Sequence, residues 1–314
     1  MIKTAIGIIS YNDKHYLEKS LPILSELPNT KITILDNAEN DEIRKFIELE
    51  YPEVDFIRHA DGNLGFGRGH NYLALKTEPT DYYFCLNSDI LLEPEGFAAC
   101  IKHLDTHPDC CMVSAKLHYW DFANNKKTNK IDTLGIVANR AHHFWDRGQG
   151  KEDKDQYDAT INNVFGISGA AFIIRRSCIP QILGSSNQIF DENYFMYKED
   201  IDLSYRMRWL GMDIQLLPNI LGYHDRTVNK TSKKSLFEAQ NSYRNHILML
   251  RNNFSKNYPF AFKYHTFLYE IIKAIYYLFR NPKILAELKK AFKIKIRKSE
   301  RKIRPKEMKK FFLK

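Results

Sequence analysis

The sequence lacks a hydrophobic run long enough to cross a membrane as a helix. Such a helix needs about 20 consecutive apolar residues, whereas the most apolar helical stretch, residues 267–279, is shorter and contains Glu270 and Lys273. The N-terminus shows no signal-peptide pattern, because its apolar segment, residues 5–9, is only as long as a strand. We therefore expect neither a membrane-spanning segment nor an export signal.

Cysteine is also scarce. The five cysteines are an odd number, no pair has the spacing of zinc ligands, and Cys85 and Cys178 lie in or beside apolar runs. Disulfides are rare in cytosolic proteins, and buried single thiols are typical of them. We therefore expect unpaired thiols, a reduced protein and a cytoplasmic location.

Positive charge is concentrated at one end of the chain. The net charge is +9, yet residues 283–314 alone hold 14 Lys/Arg against 3 Asp/Glu, a net of +11. The other 282 residues hold 33 against 35, a net of −2. A nearly neutral body offers no basic face for nucleic acid, so we expect no nucleic-acid partner.

Strand-like and helix-like segments alternate through the first third of the chain. Apolar runs at residues 4–9, 31–35, 54–58 and 82–86 have the length of strands, and helical patterns lie between them. This alternation is typical of parallel βαβ units. We predict an α/β fold with a mainly parallel central sheet flanked by helices; 314 residues fit one large domain or two modest ones.

Polar residues follow the predicted strands. The run 82–86 ends in the polar residues 87–89, and Asp36 follows the second strand. Ligands of open α/β sheets bind beyond the carboxyl ends of the strands, where a carboxylate such as Asp89 can hold a divalent cation and, through it, phosphate. Alternatively, Asp89 is a turn residue or the cap of a helix that begins near Pro94.

A glycine-rich turn follows the third strand. Gly65, Gly67 and Gly69 are spaced by two, which differs from the spacing of dinucleotide-binding motifs, and those motifs follow a first strand. Glycine at a helix N-terminus lets the backbone approach a phosphate or a sugar. The segment is either part of a ligand site or a simple tight turn.

Three carboxylates occur together in the predicted helix 195–210. Glu199, Asp200 and Asp202 lie in its first part, where the helix dipole favours negative charge, and Asp202 precedes Arg206 by four residues. Capping and a local ion pair explain some of this charge. A carboxylate that faces a cleft can also act as a general base.

Two further features point in more than one direction. Residues 120–163 are polar and irregular, and a segment of that length is typical of a functional loop or lid. His224 follows the last predicted strand. It is either a late metal ligand or an ordinary surface histidine.

The basic C-terminal segment has an amphipathic pattern. Read as one helix from residue 283, it places five apolar side chains roughly on one side, among lysines: Ile284, Leu285, Leu288, Phe292 and Ile296. This composition is typical of an interfacial helix attracted to anionic lipid, and Pro305 would end it. We expect peripheral association with the inner face of the cell membrane; a solvated tail and a nucleic-acid-binding arm are the alternatives.

Five motifs in this order resemble the family-2 glycosyltransferases with a GT-A fold, and most of all the bacterial rhamnosyltransferases of polysaccharide and O-antigen assembly. The motifs are Ser10-Tyr11-Asn12, Asp36-Asn37, Asn63-Leu-Gly65-Phe-Gly with Asn71, Leu86-Asn87-Ser88-Asp89, and Tyr194-Phe-Met-Tyr-Lys-Glu199-Asp200-Ile-Asp202-Leu. The resemblance covers roughly residues 3–255. It implies a GT-A domain over residues 1–255 and a helical, basic extension over residues 256–314.

The resemblance also implies roles for single residues. Asp89, the last position of the family's Asp-x-Asp motif, would bind Mn²⁺ or Mg²⁺ together with His224, and Asp200 would be the catalytic base, with Glu199 contacting a sugar. Asn87 departs from the motif and removes one negative charge, which lowers the expected metal affinity. The donor would be bound by Ser10, Tyr11, Asn12, Asp36, Asn63, Gly65, Asn71, Asn87, Ser88 and Asp89.

The activity implied by the resemblance is inverting transfer of a sugar from a nucleotide-sugar donor to a saccharide acceptor, which we expect to be lipid-linked. The expected donor is dTDP-rhamnose, with a UDP-hexose as the alternative. A sugar-phosphate nucleotidyltransferase is a further alternative, but it would carry a basic, glycine-rich signature where this chain has Ser10-Tyr-Asn-Asp-Lys. A non-catalytic binding protein is the last alternative function.

Overall fold

The computed structural model describes residues 2–184, 186–226 and 235–313. Its strands are β1 (Thr4–Ser10), β2 (Thr30–Asp36), β3 (Asp55–Ile57), β4 (Tyr82–Asn87), β5 (Ile90–Leu92), β6 (Cys110–Asp121), β7 (Lys126–Thr133), β8 (Ile136–Ala138), β9 (Phe144–Asp146), β10 (Ala171–Arg175) and β11 (Asp213–His224). Its α-helices are α1 (Lys14–Leu24), α2 (Asp41–Glu50), α3 (Gly65–Lys76), α4 (Pro94–Thr106), α5 (Ile179–Ile182), α6 (Glu199–Trp209), α7 (Leu236–Asn253), α8 (Phe260–Arg280), α9 (Pro282–Leu285), α10 (Glu287–Lys293) and α11 (Pro305–Met308).

A nine-stranded sheet forms the centre of the fold. Its order is β3-β2-β1-β4-β10-β6-β11-β5, and β7 also pairs with β6. The predicted α/β fold with a central sheet flanked by helices is confirmed, and the sheet is mixed rather than purely parallel. The pairs β1–β2, β1–β4, β2–β3 and β6–β11 are parallel, whereas β4–β10, β10–β6, β11–β5 and β6–β7 are antiparallel. Two of the antiparallel pairs, β4–β10 and β10–β6, arise because β10 enters the middle of the sheet without a crossover helix before it.

The parallel strands carry their polar ends to one edge, as predicted. Ser10 at the end of β1 pairs with Asp36 at the end of β2, and Ile9 pairs with Asn87 at the end of β4. Before this edge, alternate residues pack on opposite faces of the sheet: Ile8 belongs to one buried cluster and Ala5 to another. Burial on both faces explains why these strands are continuous apolar runs.

The expectation of an irregular loop over residues 120–163 is wrong for residues 120–146, whereas residues 147–163 contain only a short 3-10 helix, Asp158–Thr160. β7 extends the sheet beside β6, and β8 pairs with β9 in a separate two-stranded sheet. The polar residues that suggested a loop have partners inside the fold. For example, Lys116 Nζ lies 3.0 Å from Asp153 Oδ2 and 2.9 Å from Asp155 Oδ1. A polar segment can therefore be folded when another element supplies the opposite charge.

The expected single helix from residue 283 is also wrong. The segment forms two short helices, α9 and α10, and then irregular chain as far as α11. Ile284 is buried against α7, and Ile296 packs at the margin of another buried cluster. Met308 and Phe312 are buried within that cluster. The C-terminal extension is therefore packed onto the preceding chain, and none of the described helices is long and apolar enough to span a bilayer.

Two cysteines correct the expectation of unpaired thiols. Cys111 and Cys178 form a disulfide with their Cα atoms 5.9 Å apart, while Cys85, Cys100 and Cys110 are buried and free. Cys111 lies on β6, and Cys178 follows β10, the antiparallel neighbour of β6. The pairing was not predicted because it depends on the insertion of β10 into the sheet.

A buried ion network holds α6 in place. Arg206 is 1% exposed; its Nε donates to Asp202 Oδ2 at 2.6 Å and its Nη2 to Asp191 Oδ2 at 3.2 Å. Asn253, at the end of α7, donates to Asp202 Oδ1 at 2.6 Å. The predicted Asp202–Arg206 pair is thus confirmed, and it links α6 to α7 and to the segment that precedes α6.

Substitution of Arg206 tests this network. We expect Arg206→Leu to lower the free energy of unfolding by about 3–5 kcal/mol, because it leaves two buried carboxylates without their cation. The control is Arg304→Ala, which breaks an exposed pair with Glu307 (3.1 Å) and should leave the free energy of unfolding nearly unchanged, because solvent screens exposed ion pairs. Urea unfolding measures both; equal effects of the two substitutions would contradict a dominant role for Arg206.

Candidate active site

A cavity of about 480 Å³ opens at the carboxyl edge of the sheet. Five of the predicted site residues line it: Asn87, Asp89, Glu199, Asp200 and His224. A larger cavity of about 560 Å³ lies beside the start of β1 and α4, but none of the predicted site residues lines it. The cavity at the sheet edge is therefore the candidate active site.

The pairing of β5 with β11 brings Asp89 and His224 together. His224 ends β11 and pairs with Ile90, the first residue of β5, and the N–H of Asp225 donates to the carbonyl oxygen of Asp89 at 3.1 Å. As a result His224 Nε2 lies 3.2 Å from Asp89 Oδ2. The two predicted metal ligands meet at one wall of the cavity although they are 135 residues apart.

Asp132, which the sequence analysis missed, holds His224 from behind. Asp132 Oδ2 lies 2.8 Å from His224 Nδ1, and Asp132 is fully buried. It lies on β7 close to a shift in register between β6 and β7, and such irregularities re-aim side chains. A carboxylate at one ring nitrogen fixes the orientation of the ring and leaves the other nitrogen for a ligand. The available signal was a carboxylate inside the strand-like run 131–137.

Arg226, also missed, adds a positive charge to the same wall. Its Nε lies 2.7 Å from Asp132 Oδ1 and its Nη2 lies 3.4 Å from Asp146 Oδ2. Both Arg226 and Asp146 line the cavity. The wall thus combines carboxylates with a guanidinium group that can hydrogen-bond phosphate oxygens.

The neighbouring carboxylates control the protonation of His224. Burial by itself lowers the pKa of the ring, but the charges of Asp89 and Asp132 outweigh burial and raise the pKa from 6.5 to about 10. In the same way burial raises the pKa of Asp132, and the charges of His224 and Arg226 outweigh it and lower that pKa. A cation bound by His224 would therefore displace a proton from the ring.

The chemistry of Asp89 fits a divalent cation. Its Oδ1 is buried and makes no hydrogen bond to any residue that the structure describes, and hard divalent cations prefer such carboxylate oxygens. The described parts of the chain contain no cluster of three or more His, Cys, Asp or Glu side chains arranged as a metal site. Asp89 and His224 would therefore supply two of the ligands of such a cation.

Another part of the cavity lining follows a strained turn before α6, a helix that is predicted over residues 195–210 and observed from Glu199 to Trp209. Tyr197 and Lys198 both have left-handed backbone angles, with φ of +70° and +73°, a conformation that costs roughly 1–3 kcal/mol for each such residue. Asn245 Nδ2 holds the turn by donating to the carbonyl oxygens of Met196 and Tyr197 at 2.8 and 2.9 Å. Strain of this kind is concentrated at functional sites.

The two carboxylates at the start of α6 have different surroundings. Asp200 is half-buried, and its Oδ2 accepts a hydrogen bond from the N–H of Gly169 at 3.3 Å. Glu199 is buried, and its Oε2 makes no hydrogen bond to a described residue. Burial, followed by the charge of Asp200, raises the pKa of Glu199 from 4.5 to about 8. Neighbouring carboxyl groups with different environments suit different roles, one as proton acceptor and one as hydrogen-bond donor.

The first-strand motif lies along the sheet edge but outside the cavity lining. Ser10 is buried and its Oγ donates to Asp13, while Asn12 Oδ1 accepts a hydrogen bond from Asn40 Nδ2 at 2.9 Å. Tyr11 is 60% exposed. The structure thus leaves the side chain of Tyr11 exposed and gives Ser10 and Asn12 hydrogen bonds within the protein.

Three more residues that are predicted to bind the nucleotide-sugar donor also lie outside the cavity lining. Asp36 is buried, and its Oδ2 accepts a hydrogen bond from Arg58 Nε at 2.9 Å. Asn63 Oδ1 accepts a hydrogen bond from the N–H of Gly65 at 2.8 Å. Ser88 is half-buried between Asn87 and Asp89. These residues shape the edge that carries the cavity.

Gly65 and Asn71 serve the packing of α3 against the segment before α6. Gly65 has φ of +70°, and a Cβ there would lie 2.3 Å from the carbonyl oxygen of Phe195, so a side chain does not fit. Asn71 is 1% exposed; its Nδ2 donates to the carbonyl oxygen of Phe190 at 2.8 Å, and its Oδ1 accepts from the N–H of Ile189 and of Phe190. The side-chain amide of Asn71 is thus engaged within the protein, and its expected role in donor binding stays a prediction.

The sequence has relatives among known glycosyltransferases. Residues 5–183 match the family model described as Glycosyl transferase family 2. The chain is 25% identical over 228 residues to the rhamnosyltransferase WbbL of Escherichia coli (strain K12), which covers 70% of this chain and 82% of that protein. It is 24% identical over 219 residues to the N-acetylglucosaminyl-diphospho-decaprenol L-rhamnosyltransferase of Mycobacterium tuberculosis (strain H37Rv), covering 65% and 69% respectively.

Solved structures share the fold. The mannosyltransferase PcManGT from Pyrobaculum calidifontis, in complex with GDP-Man and Mn²⁺, superposes with a TM-score of 0.54 at 14% identity, over 92% of this chain and 73% of that chain. Residues 1–349 of TarS from S. aureus give a TM-score of 0.52 at 14% identity, over 92% and 71%. At these identities the likeness shows the fold alone, which is the predicted GT-A fold. Because the family match covers more than half of the sequence, the chain belongs to the family-2 glycosyltransferases.

Proposed function

We propose that this glycosyltransferase is a metal-dependent, inverting enzyme that transfers rhamnose from dTDP-rhamnose to a lipid-linked saccharide during synthesis of a cell-surface polysaccharide. Two relatives are named as rhamnosyltransferases, and the name of one includes a diphospho-decaprenol acceptor. The observation that carries the proposal is that one cavity is lined both by Asp89 and His224 and by Glu199 and Asp200.

On the donor side, Asp89 and His224 would hold Mn²⁺ or Mg²⁺. When bound, the cation stabilises the negative charge that develops on the leaving diphosphate. Asp132 keeps the ring of His224 in position, 2.8 Å away, and Arg226 adds a positive charge toward the phosphates. Asn87 leaves the motif with a single carboxylate, so the protein alone should bind the cation weakly.

The nucleotide would lie along the carboxyl edge of β1 and β2. Ser10, Tyr11, Asn12 and Asp36 lie at this edge, and we propose that they contact the base and the ribose, with Tyr11 stacking on the base. Their position beside Asn87 supports the assignment, because a diphosphate held at Asp89 would direct the nucleoside toward β1.

On the acceptor side, Asp200 would remove the proton from the attacking hydroxyl group of the acceptor. That oxygen would attack the anomeric carbon from the face opposite the diphosphate, so one displacement inverts the configuration and no nucleophile from the protein is required. Glu199, whose pKa is raised to about 8, would be protonated at neutral pH and donate a hydrogen bond to a sugar oxygen.

A lipid-linked acceptor requires the enzyme to work at a membrane surface. We propose that the protein is peripherally associated with the inner face of the cell membrane through its C-terminal extension. The net charge of +11 over residues 283–314 supports this proposal, since the cytoplasmic leaflet is anionic.

A thermal-shift panel tests the donor and the metal together. We expect dTDP-rhamnose to raise the melting temperature in the presence of Mn²⁺, and less without it, because a ligand that binds only the folded state stabilises that state. UDP-glucose, UDP-galactose, UDP-N-acetylglucosamine and GDP-mannose serve as controls. A larger metal-dependent shift with a UDP-hexose would identify that sugar nucleotide, in place of dTDP-rhamnose, as the donor. The absence of any shift would contradict the proposal.

The variant Asp200→Asn tests the assignment of the base. It should reduce kcat about 100-fold or more, because the amide cannot accept the proton, while the melting-temperature shift with the donor stays close to that of the wild type. The matched control is Glu192→Gln, an exposed carboxylate on the same segment, which should keep normal turnover. Normal turnover by Asp200→Asn would show that another group is the base.

The variant Asp132→Asn tests the support of His224. Loss of a carboxylate behind a metal-binding histidine typically weakens metal binding about 10- to 100-fold. We expect the Mn²⁺ concentration that half-saturates the donor-induced melting shift to rise by that factor. Asp121→Asn, at the end of β6 and outside the cavity, is the control. An unchanged Mn²⁺ requirement in Asp132→Asn would refute the supporting role.

A further inference from the structure

The helix α8 turns its polar side inward. Glu270 Oε1 lies 2.6 Å from Nε2 of His246 on α7 and 3.5 Å from Nζ of Lys273. Of the residues in α8, only Phe262 and Thr266 are buried. Helices on the surface of globular proteins normally show the opposite arrangement, with the apolar stripe inside. Within the part of the chain that the structure describes, the outward side of α8 is therefore left exposed.

The outward side of α8 is apolar along its length. Six large side chains on it are each at least 50% exposed: Phe260, Phe267, Ile272, Ile275, Leu278 and Phe279. At 3.6 residues per turn they fall within an arc of about 140°. Along this fully described helix, that arc contains no Asp, Glu, Lys or Arg. We call these six residues the α8 face.

Positive charge follows the α8 face along the chain. Arg280 is exposed at the end of α8, and the exposed residues Lys283, Lys289, Lys290 and Lys293 follow on α9 and α10. The rest of the chain before residue 283 has a net charge of −2, so the excess of basic residues belongs to this region. An apolar stripe beside clustered lysines is complementary to a bilayer that contains anionic lipid.

A second copy of the chain is a less suitable occupant of this face. Two copies joined through their α8 faces would bring their flanking lysines together, and like charges across an interface are unfavourable. An anionic bilayer instead satisfies both features, because its acyl chains accept the apolar stripe and its headgroups accept the lysines. The 21 residues of α8 give a helix about 30 Å long, which can lie flat in the headgroup region.

We propose that α8 is an in-plane membrane anchor, with the α8 face inserted into the acyl boundary of an anionic leaflet. This deepens the proposed function, and rests on it, by giving a route to a lipid-linked acceptor. The anchor is joined through α7 to the part of the cavity that carries Glu199. His246 of α7 contacts Glu270 of α8, and Asn245 of α7 holds the turn before Glu199. The cavity would therefore lie at a fixed position relative to the membrane surface.

Vesicle co-sedimentation of the full chain tests the anchor. Vesicles of phosphatidylcholine with phosphatidylglycerol should retain the protein at least ten times better than vesicles of phosphatidylcholine alone. The combined variant Phe267→Gln, Ile275→Gln and Phe279→Gln should reduce retention at least ten-fold. Its melting temperature should stay unchanged, because all three side chains are exposed.

A matched control removes apolar surface elsewhere. Leu49 and Leu75 are 78% and 60% exposed on α2 and α3, and the double variant Leu49→Gln, Leu75→Gln should sediment like the wild type. Unchanged retention of the α8 variant would overturn the proposal. So would a dimer in analytical ultracentrifugation that the α8 variant dissociates, because the face would then be covered by a second copy.

Transfer to a water-soluble acceptor separates this proposal from the proposed function. The α8 variant should keep that transfer and lose only transfer to an acceptor embedded in vesicles. Absence of transfer by the wild type, with vesicle binding intact and sensitive to the α8 variant, would count against the proposed function and leave the anchor standing.

Discussion

The wall of the cavity that carries Glu199 and Asp200 depends on one interaction, the buried ion pairs of the Arg206 guanidinium. A charge removed from water is costly unless its partners are close and well oriented, and Asp202 and Asp191 both satisfy it. Because Asn253 of α7 donates to the same Asp202, α6 cannot shift against the C-terminal helices without leaving a buried charge unpaired. Asn245 extends the same restraint to the strained turn that presents Glu199 and Asp200.

The two walls of the cavity are built by different parts of the fold. Strand pairing determines the position of Asp89 and His224, because both lie at the junction of β5 with β11. Helix packing determines the position of the carboxylates of α6. The contact of Gly65 with the backbone of Phe195 joins the two systems, since it brings the glycine-rich turn directly against the segment that leads into α6. The cavity therefore lies where the carboxyl edge of the sheet meets the layer of helices.

The sequence predicted those features that depend on neighbours in the chain. Alternating strands and helices, the polar strand ends and the motif residues Asp89 and Asp200 all belong to local patterns. The antiparallel entry of β10, the disulfide that follows from it and the position of Asp132 behind His224 depend on pairings between distant segments. The amphipathic pattern of the segment from residue 283 led to a wrong prediction for a related reason. A periodic apolar pattern does not say whether another element covers it, and Ile284 is buried, whereas the α8 face is exposed.

The C-terminal residues of the described chain complete a hydrophobic core whose other residues come much earlier in the sequence. The N–H of Leu313 donates to the carbonyl oxygen of Ala138 at 2.7 Å, and Phe312 packs with Phe165 and Tyr205. During synthesis these aromatic side chains leave the ribosome long before Phe312 does. The nascent chain therefore keeps an uncovered apolar surface until translation has passed this point, and exposed apolar surface of this kind favours aggregation of unfinished proteins.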